Sequence, residues 1–143
     1  MSDYDADILL WSERQSELLR RRATGELVND AELDWPNIAE EIESVGREQL
    51  HAVQSLLRQA ILHRLKVMAW PQSSAVAGWQ DEDLRFRQDA ADRFTAAMRQ
   101  RIDLARIYRR ALQRLPKQLD DLAPQPVPDT CPWTLDELLS DEP

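Results

Sequence analysis

The sequence predicts an all-α protein: an up-and-down helical bundle of about four helices with a Pro-rich C-terminal tail ending in a short helix. Three observations carry this prediction. Apolar residues recur every three or four positions along most of the chain. Only 3 glycines occur in 143 residues, too few for the many tight turns of an all-β fold. Prolines fall where the apolar stripes end, at Pro71 and Pro116, and then crowd together at Pro124, Pro126 and Pro128.

The elements follow in order. Tyr4, Ile8, Trp11, Leu18 and Leu19 share a stripe, which predicts a first helix over about 5–23 with Asp3 or Asp5 as its cap and Gly25 beyond its end. Trp35-Pro36 opens the second helix, since proline suits a first turn. Its inward stripe reads Trp35, Ile38, Ile42, Val45, Gln49, Val53, Leu56, Ala60, His63, Val67 and Trp70. The phase survives Gly46, so one helix over about 35–70 is expected, with a weak point at that glycine. Ser73 or Ser74 is positioned to cap the next segment, whose stripe holds Trp79, Asp83, Phe86, Ala90 and Phe94. Phe94, Met98, Ile102, Ala105, Tyr108, Leu112 and Leu115 continue it. Residues 75–115 form either one helix or two with a break near Asp92–Thr95. Three prolines in five residues then exclude a helix. Thr134-Leu135-Asp136-Glu137 is a capping-box pattern that opens a short last helix. Residues 1–123 are expected to form the bundle. Residues 124–143 should pack on it within the same domain, anchored by Trp133 and by Leu135 or Leu138.

Charge is strongly segregated within a net charge of −8. Residues 1–50 carry 5 basic and 13 acidic side chains, residues 51–115 carry 12 and 6, and residues 116–143 carry 1 and 7. Sixteen of the 18 basic side chains are arginine, which binds carboxylates and phosphates with a planar fork. Such segregation points to charge complementarity within the chain or head-to-tail between copies. A lone cysteine excludes a disulfide framework and a multi-cysteine zinc site. No run of about 18 apolar residues is present to span a membrane. The acidic start MSDYDADILLW does not read as a secretory signal, and a cytoplasmic location is expected.

Several motifs together resemble a known family. Glu40-Glu41-Ile42-Glu43-Ser44-Val45-Gly46 is similar to a recurring EEIESLG, and His63-Arg64-Leu65-Lys66 to HLLK. Cys131-Pro132-Trp133-Thr134-Leu135 with Leu138-Leu139 is similar to CPYSLEQLL, and the Tyr4-Asp5…Trp11 start fits as well. In this order and spacing they resemble the bacterial family called domain of unknown function 29, over roughly residues 4–140. The resemblance implies a cytoplasmic helical bundle and supplies no catalytic residues.

His63 and Asp83 are the catalytic candidates. A hairpin turning near residue 73 places residues of constant sum opposite each other, so His63 and Asp83 should face each other inside. Such a pair could serve as a general base with its orienting group, or as a structural contact that fixes helix register. Glu41, beside the apolar stripe, and Arg101 and Arg106, in the arginine-rich stretch, are the binding candidates. Glu48-x-x-His51 has di-iron spacing, but only one such pair exists and His51 falls opposite the apolar stripe, so no metal and no cofactor are expected. Cys131 reads as a structural thiol.

Residues 93–115 hold seven arginines against one acid, Asp103. They are expected to pair with the acidic first helix and tail. The net charge, the absence of lysine there and the few interleaved aromatics argue against nucleic acid. The favoured function is a non-enzymatic protein-interaction or self-association domain, with a homo-oligomer or a protein partner and no membrane. The alternatives are a small enzyme or metal-binding bundle using His63 and Asp83, and nucleic-acid binding through residues 93–115.

Overall fold

The computed structural model describes residues 3–142, and its regular structure is all helical. The chain divides into two compact units, one ending at Arg47 and the other beginning at Glu48.

The first unit holds α1 (Asp3–Ala6), α2 (Ile8–Ala23) and the start of α3 (Trp35–Ala69). The expected first helix is therefore two. Asp7 adopts extended backbone between them and accepts a hydrogen bond from the Leu10 amide at 3.0 Å, so Asp7 is the cap rather than Asp3 or Asp5. Gly25, at φ 90°, turns the chain beyond α2, where a Cβ would be strained. A short 3-10 turn, Asp30–Glu32, leads back to α3. The core here is small: Trp11, Leu33 and Ile38 are buried, with Tyr4, Leu18, Leu19 and Val28 at the edge. Asp34 fixes it. Its Oδ2 accepts from Trp11 Nε1 at 2.9 Å and from Asn37 Nδ2 at 2.8 Å, while its amide donates to Gln15 Oε1.

The α3 stripe departs from expectation within this unit. Ile38 is buried, but Trp35, Ile42 and Val45 are 46%, 69% and 63% exposed. Of these four, Ile38 alone belongs to the Trp11–Leu33 cluster, while the Trp35 ring lies under the Arg22 guanidinium, its Cζ 5.7 Å from the centroid.

The second unit contains the rest of α3, then α4 (Val76–Arg93), a 3-10 turn at Ala96–Met98, α5 (Leu104–Arg114) and α6 (Leu135–Leu139). α3 runs through Gly46 unbroken and stops before Trp70-Pro71. The second alternative for residues 75–115 is the observed one. Phe94 is extended, and Asp103 restarts the helix by accepting from the Arg106 amide at 3.1 Å. The core gathers Val53, Leu57, Ile61 and Leu65 of α3 with Ala90, Ile107, Tyr108, Ala111 and Leu138. On α3 the inward positions step by four, which leaves His63 and Val67 at the margin rather than at the centre of the stripe.

The tail docks by both polar and apolar contacts. Gln125 N donates to Ala69 O at 2.9 Å, Trp70 Nε1 to Leu122 O at 3.0 Å, and the Tyr108 hydroxyl to Pro128 O. Thr134 caps α6 through the Glu137 amide as its motif predicts. Leu138 is then fully buried, a burial that contributes about 1.5–3 kcal/mol. No helix among the described residues is long and apolar enough to cross a membrane.

Candidate functional site

The hairpin between the second half of α3 and α4 has the antiparallel level expected, but different partners. His63 Nε2 meets Glu82 Oε2 at 2.5 Å, and its Nδ1 lies 2.7 Å from Gln59 O. Asp83 instead takes Arg64 Nε at 3.0 Å and Arg87 Nε at 3.2 Å. The constant-sum rule finds the height along a helix pair. Neighbouring residues differ by about 100° around the axis, and the rule does not fix that angle. The His63–Asp83 pair is thus replaced by two adjacent pairs. Both imidazole nitrogens of His63 lie within hydrogen-bond distance of an oxygen.

Arg87 is the most enclosed charge of the fold. Its side chain is 0% exposed, Nη1 donates to Ser140 O at 2.8 Å, and Nη2 has no hydrogen-bond partner among the described residues. The Arg87–Asp83–Arg64 chain borders a cleft of about 560 Å³, whose other walls include Val67, Met68, Leu84 and Trp133. Arg64 stacks over the Trp133 ring with its Cζ 5.1 Å from the centroid. This arrangement ties α4, α6 and the tail to α3. It is an ion-pair network of two guanidinium groups on one carboxylate.

The binding candidates divide. Glu41 lies in the first unit and accepts from the Tyr4 hydroxyl at 2.5 Å. That bond, aided by burial and by the charges of Glu41, Glu40 and Asp5, pushes the Tyr4 pKa up to about 12. Arg101 and Arg106 do come together in the second unit. They line a cleft of about 530 Å³ with Arg58, Arg110, His51 and Ser55. Arg58 and Arg110 complete this cluster, and Arg58 lay outside the arginine-rich stretch that sequence reasoning considered. The available signal was helical spacing: His51, Ser55 and Arg58 share one face of α3, as Arg106 and Arg110 do on α5. Arg87 had a similar signal, four residues after Asp83.

The expected pairing of residues 93–115 with acidic segments is mostly not found. Arg99 meets Asp136 of the tail at 2.8 Å. Arg93, Arg101, Arg106, Arg109, Arg110 and Arg114 form no ion pair among the described residues. For Arg106, Arg109, Arg110 and Arg114 the cause is the amphipathicity of α5. Ile107, Tyr108 and Ala111 face the core, which leaves its arginines directed at water. Cys131 is half-buried and donates to Trp133 O at 3.3 Å; burial pushes its thiol pKa up. Among the described residues no three His, Cys, Asp or Glu side chains group to hold a metal.

Residues 4–142 match the model of the family described as Domain of unknown function DUF29. The chain is also similar to the crystal structure of an alpha-helical protein of unknown function from Rhodospirillum rubrum. The identity is 31%, with 99% of this chain and 92% of that one covered and a TM-score of 0.72. No curated protein matches the chain.

Proposed function

This chain belongs to the DUF29 family, and we propose that it is a protein-interaction domain whose contact surface is the uncovered apolar face of its first unit. The observation that carries this is the location of the exposed large hydrophobics. Ile8, Leu9, Leu10, Leu27, Trp35, Ile42 and Val45 all belong to the first unit, against Met68 and Leu122 in the second. Trp35, Ile42 and Val45 share a face of α3 by helical spacing. Folded domains rarely leave contiguous apolar patches uncovered without an interaction to cover them.

Charge selects the occupant. Residues 1–50 carry 13 acidic and 5 basic side chains, and Glu41 and Glu43 lie within the Trp35–Val45 stretch. The matching partner is an amphipathic protein helix with basic flanks. A second copy docked through the same face would set like charges against each other, and an anionic bilayer surface would repel the same carboxylates.

The test is a calorimetric titration with a designed helical peptide of leucine and lysine at 3.6-residue spacing, alongside a scrambled control. Saturable binding of the helical peptide is expected, lost in Ile42→Glu/Val45→Glu. Because both positions are exposed, the variant should fold normally, which circular dichroism checks. Undiminished binding by the variant would overturn the reading. So would a concentration-dependent dimer, seen by light scattering, that the variant abolishes, for then the occupant is a second copy.

A further inference from the structure

We infer that the cleft between α3 and α5, lined by Arg58, Arg101, Arg106 and Arg110, is a binding site for a compact polyanion of the phosphate class. It lies wholly within the second unit and is independent of the apolar face in the first.

Four arginines line this one concavity, and none has a carboxylate partner among the described residues. Asp103 is the sole acid lining it, and it is already engaged in capping α5 through the Arg106 amide. Most other structured arginines of the fold are treated differently. Arg14, Arg21, Arg22, Arg47, Arg64, Arg87 and Arg99 each meet a carboxylate. Holding like charges together without a counter-ion costs free energy, and an arriving anion would recover it. Arg58 Nε is buried with no hydrogen-bond partner among the described residues, and burial, then Arg114 and Arg110, lower the pKa of its guanidinium.

Geometry and lining define the ligand. A volume of about 530 Å³ suits a small molecule rather than a groove for duplex. His51, Gln54 and Ser55 add hydrogen-bonding groups, and Ile107 is the only large apolar contributor. No tryptophan, tyrosine or phenylalanine lines it, so it offers no platform for base stacking of the kind single-strand binders use. Forked arginine donors match the tetrahedral oxygens of phosphate groups, and several arginines require several negative charges. The common chemistry is a phosphate cluster, either free in solution or carried on a lipid headgroup.

The experiment titrates inorganic tripolyphosphate into the full chain by calorimetry, at about 0.15 M salt where exposed charges are screened. One saturable site is expected. Arg106→Gln should weaken it about tenfold or more, as loss of a charge-assisted bond does. Arg58→Gln should act likewise, and Arg109→Gln and Arg93→Gln, which lie outside the cleft, should not. Arg106 is exposed, so its variant keeps the test independent of folding. Phosphatidylcholine vesicles doped with a phosphoinositide form the second arm. Binding to both probes, with tripolyphosphate displacing the vesicles, places the phosphates in this cleft whichever source supplies them. Three results would overturn the proposal: no saturable binding of either probe, equal weakening by Arg106→Gln and Arg109→Gln, or salt-steep binding of duplex DNA that tripolyphosphate does not displace.

Discussion

Asp83 holds two arginines where little water reaches: its side chain is 10% exposed, that of Arg64 18% and that of Arg87 0%. The energetic weight of such a network lies in what happens when one member leaves. Asp83→Asn would keep the shape and remove the charge that balances Arg87. Breaking a buried pair from one side typically costs about 3–5 kcal/mol. Urea denaturation of Asp83→Asn should show a loss on that scale. The double variant Asp83→Leu/Arg87→Leu should recover much of it, because no charge is then stranded. Glu82→Gln is the contrast. Glu82 is 44% exposed, and removing a pair at the surface should cost about 0–1 kcal/mol even though its partner is His63. A loss under about 1 kcal/mol for Asp83→Asn, or a larger one for Glu82→Gln, would refute this ranking. At this scale the sequence was half legible. The hairpin arithmetic brought residues 63–64 and 82–83 to one level from Pro71 and the two stripes alone. It could not choose among neighbours, because a rotation of α3 by one residue exchanges His63 for Arg64, and only packing fixes that rotation. Arg58 and Arg106 escaped as a cluster for the related reason that they come from separate helices.

At the scale of elements, chain punctuation was the legible part. Pro36, Pro71, Pro116, Gly25 and Thr134 each mark a boundary that the fold respects, because each acts locally, the prolines and Gly25 through the backbone and Thr134 through its hydroxyl. The start of α2 was misjudged. Asp3, Asp5 and Asp7 are chemically equivalent caps, and the choice among them depends on where Trp11 must point. Trp11 points at Asp34, and this contact makes the junction into α3 sensitive to acid. Hydrogen bonds from Asn37 and then Trp11 hold the Asp34 carboxyl below its ordinary value of 3.8. A carboxyl whose folded pKa is depressed stabilises the fold above its unfolded pKa, and the contribution is lost as pH falls through the folded value. The window therefore opens near pH 4 and extends downward. Asp34→Asn, which keeps an oxygen to accept from Trp11, should flatten the acid limb of stability. Denaturation series from pH 6 down to about pH 2 in parent and variant measure this. Parallel acid limbs would show that Asp34 has no part in it.

The whole molecule sets two unequal cores on one chain. The first unit buries three large residues, Trp11, Leu33 and Ile38. The core cluster of the second gathers ten buried residues, eight of them larger than alanine, drawn from α3, α4, α5, α6 and the 3-10 turn before α5. Apolar burial is the main term that opposes conformational entropy, so the two units should differ in local stability. The helix that serves both makes the comparison internal. α3 contributes Ile38 to the small core, and Val53, Leu57, Ile61 and Leu65 to the large one, within one unbroken stretch of hydrogen-bonded backbone. Its secondary structure alone would protect every amide alike. Burial instead predicts a gradient: amides of α2 and of α3 before Arg47 open at lower free energy than those around Leu57–Leu65. The stripe on α3 keeps its phase from Trp35 to Trp70, through Gly46, so the sequence suggests one continuous core. It could not show that Ile38 is buried while Trp35, Ile42 and Val45 stay exposed, since coverage depends on elements that are distant in the chain. Hydrogen exchange followed by mass spectrometry decides the matter. Peptides over 8–23 and 35–46 should exchange fastest among the helical segments, and peptides over 53–65 slowest. A ligand for the apolar face should slow the first group selectively. Uniform protection along α3 in the unliganded chain would mean that the two cores open as one, and that Trp35, Ile42 and Val45 are already covered.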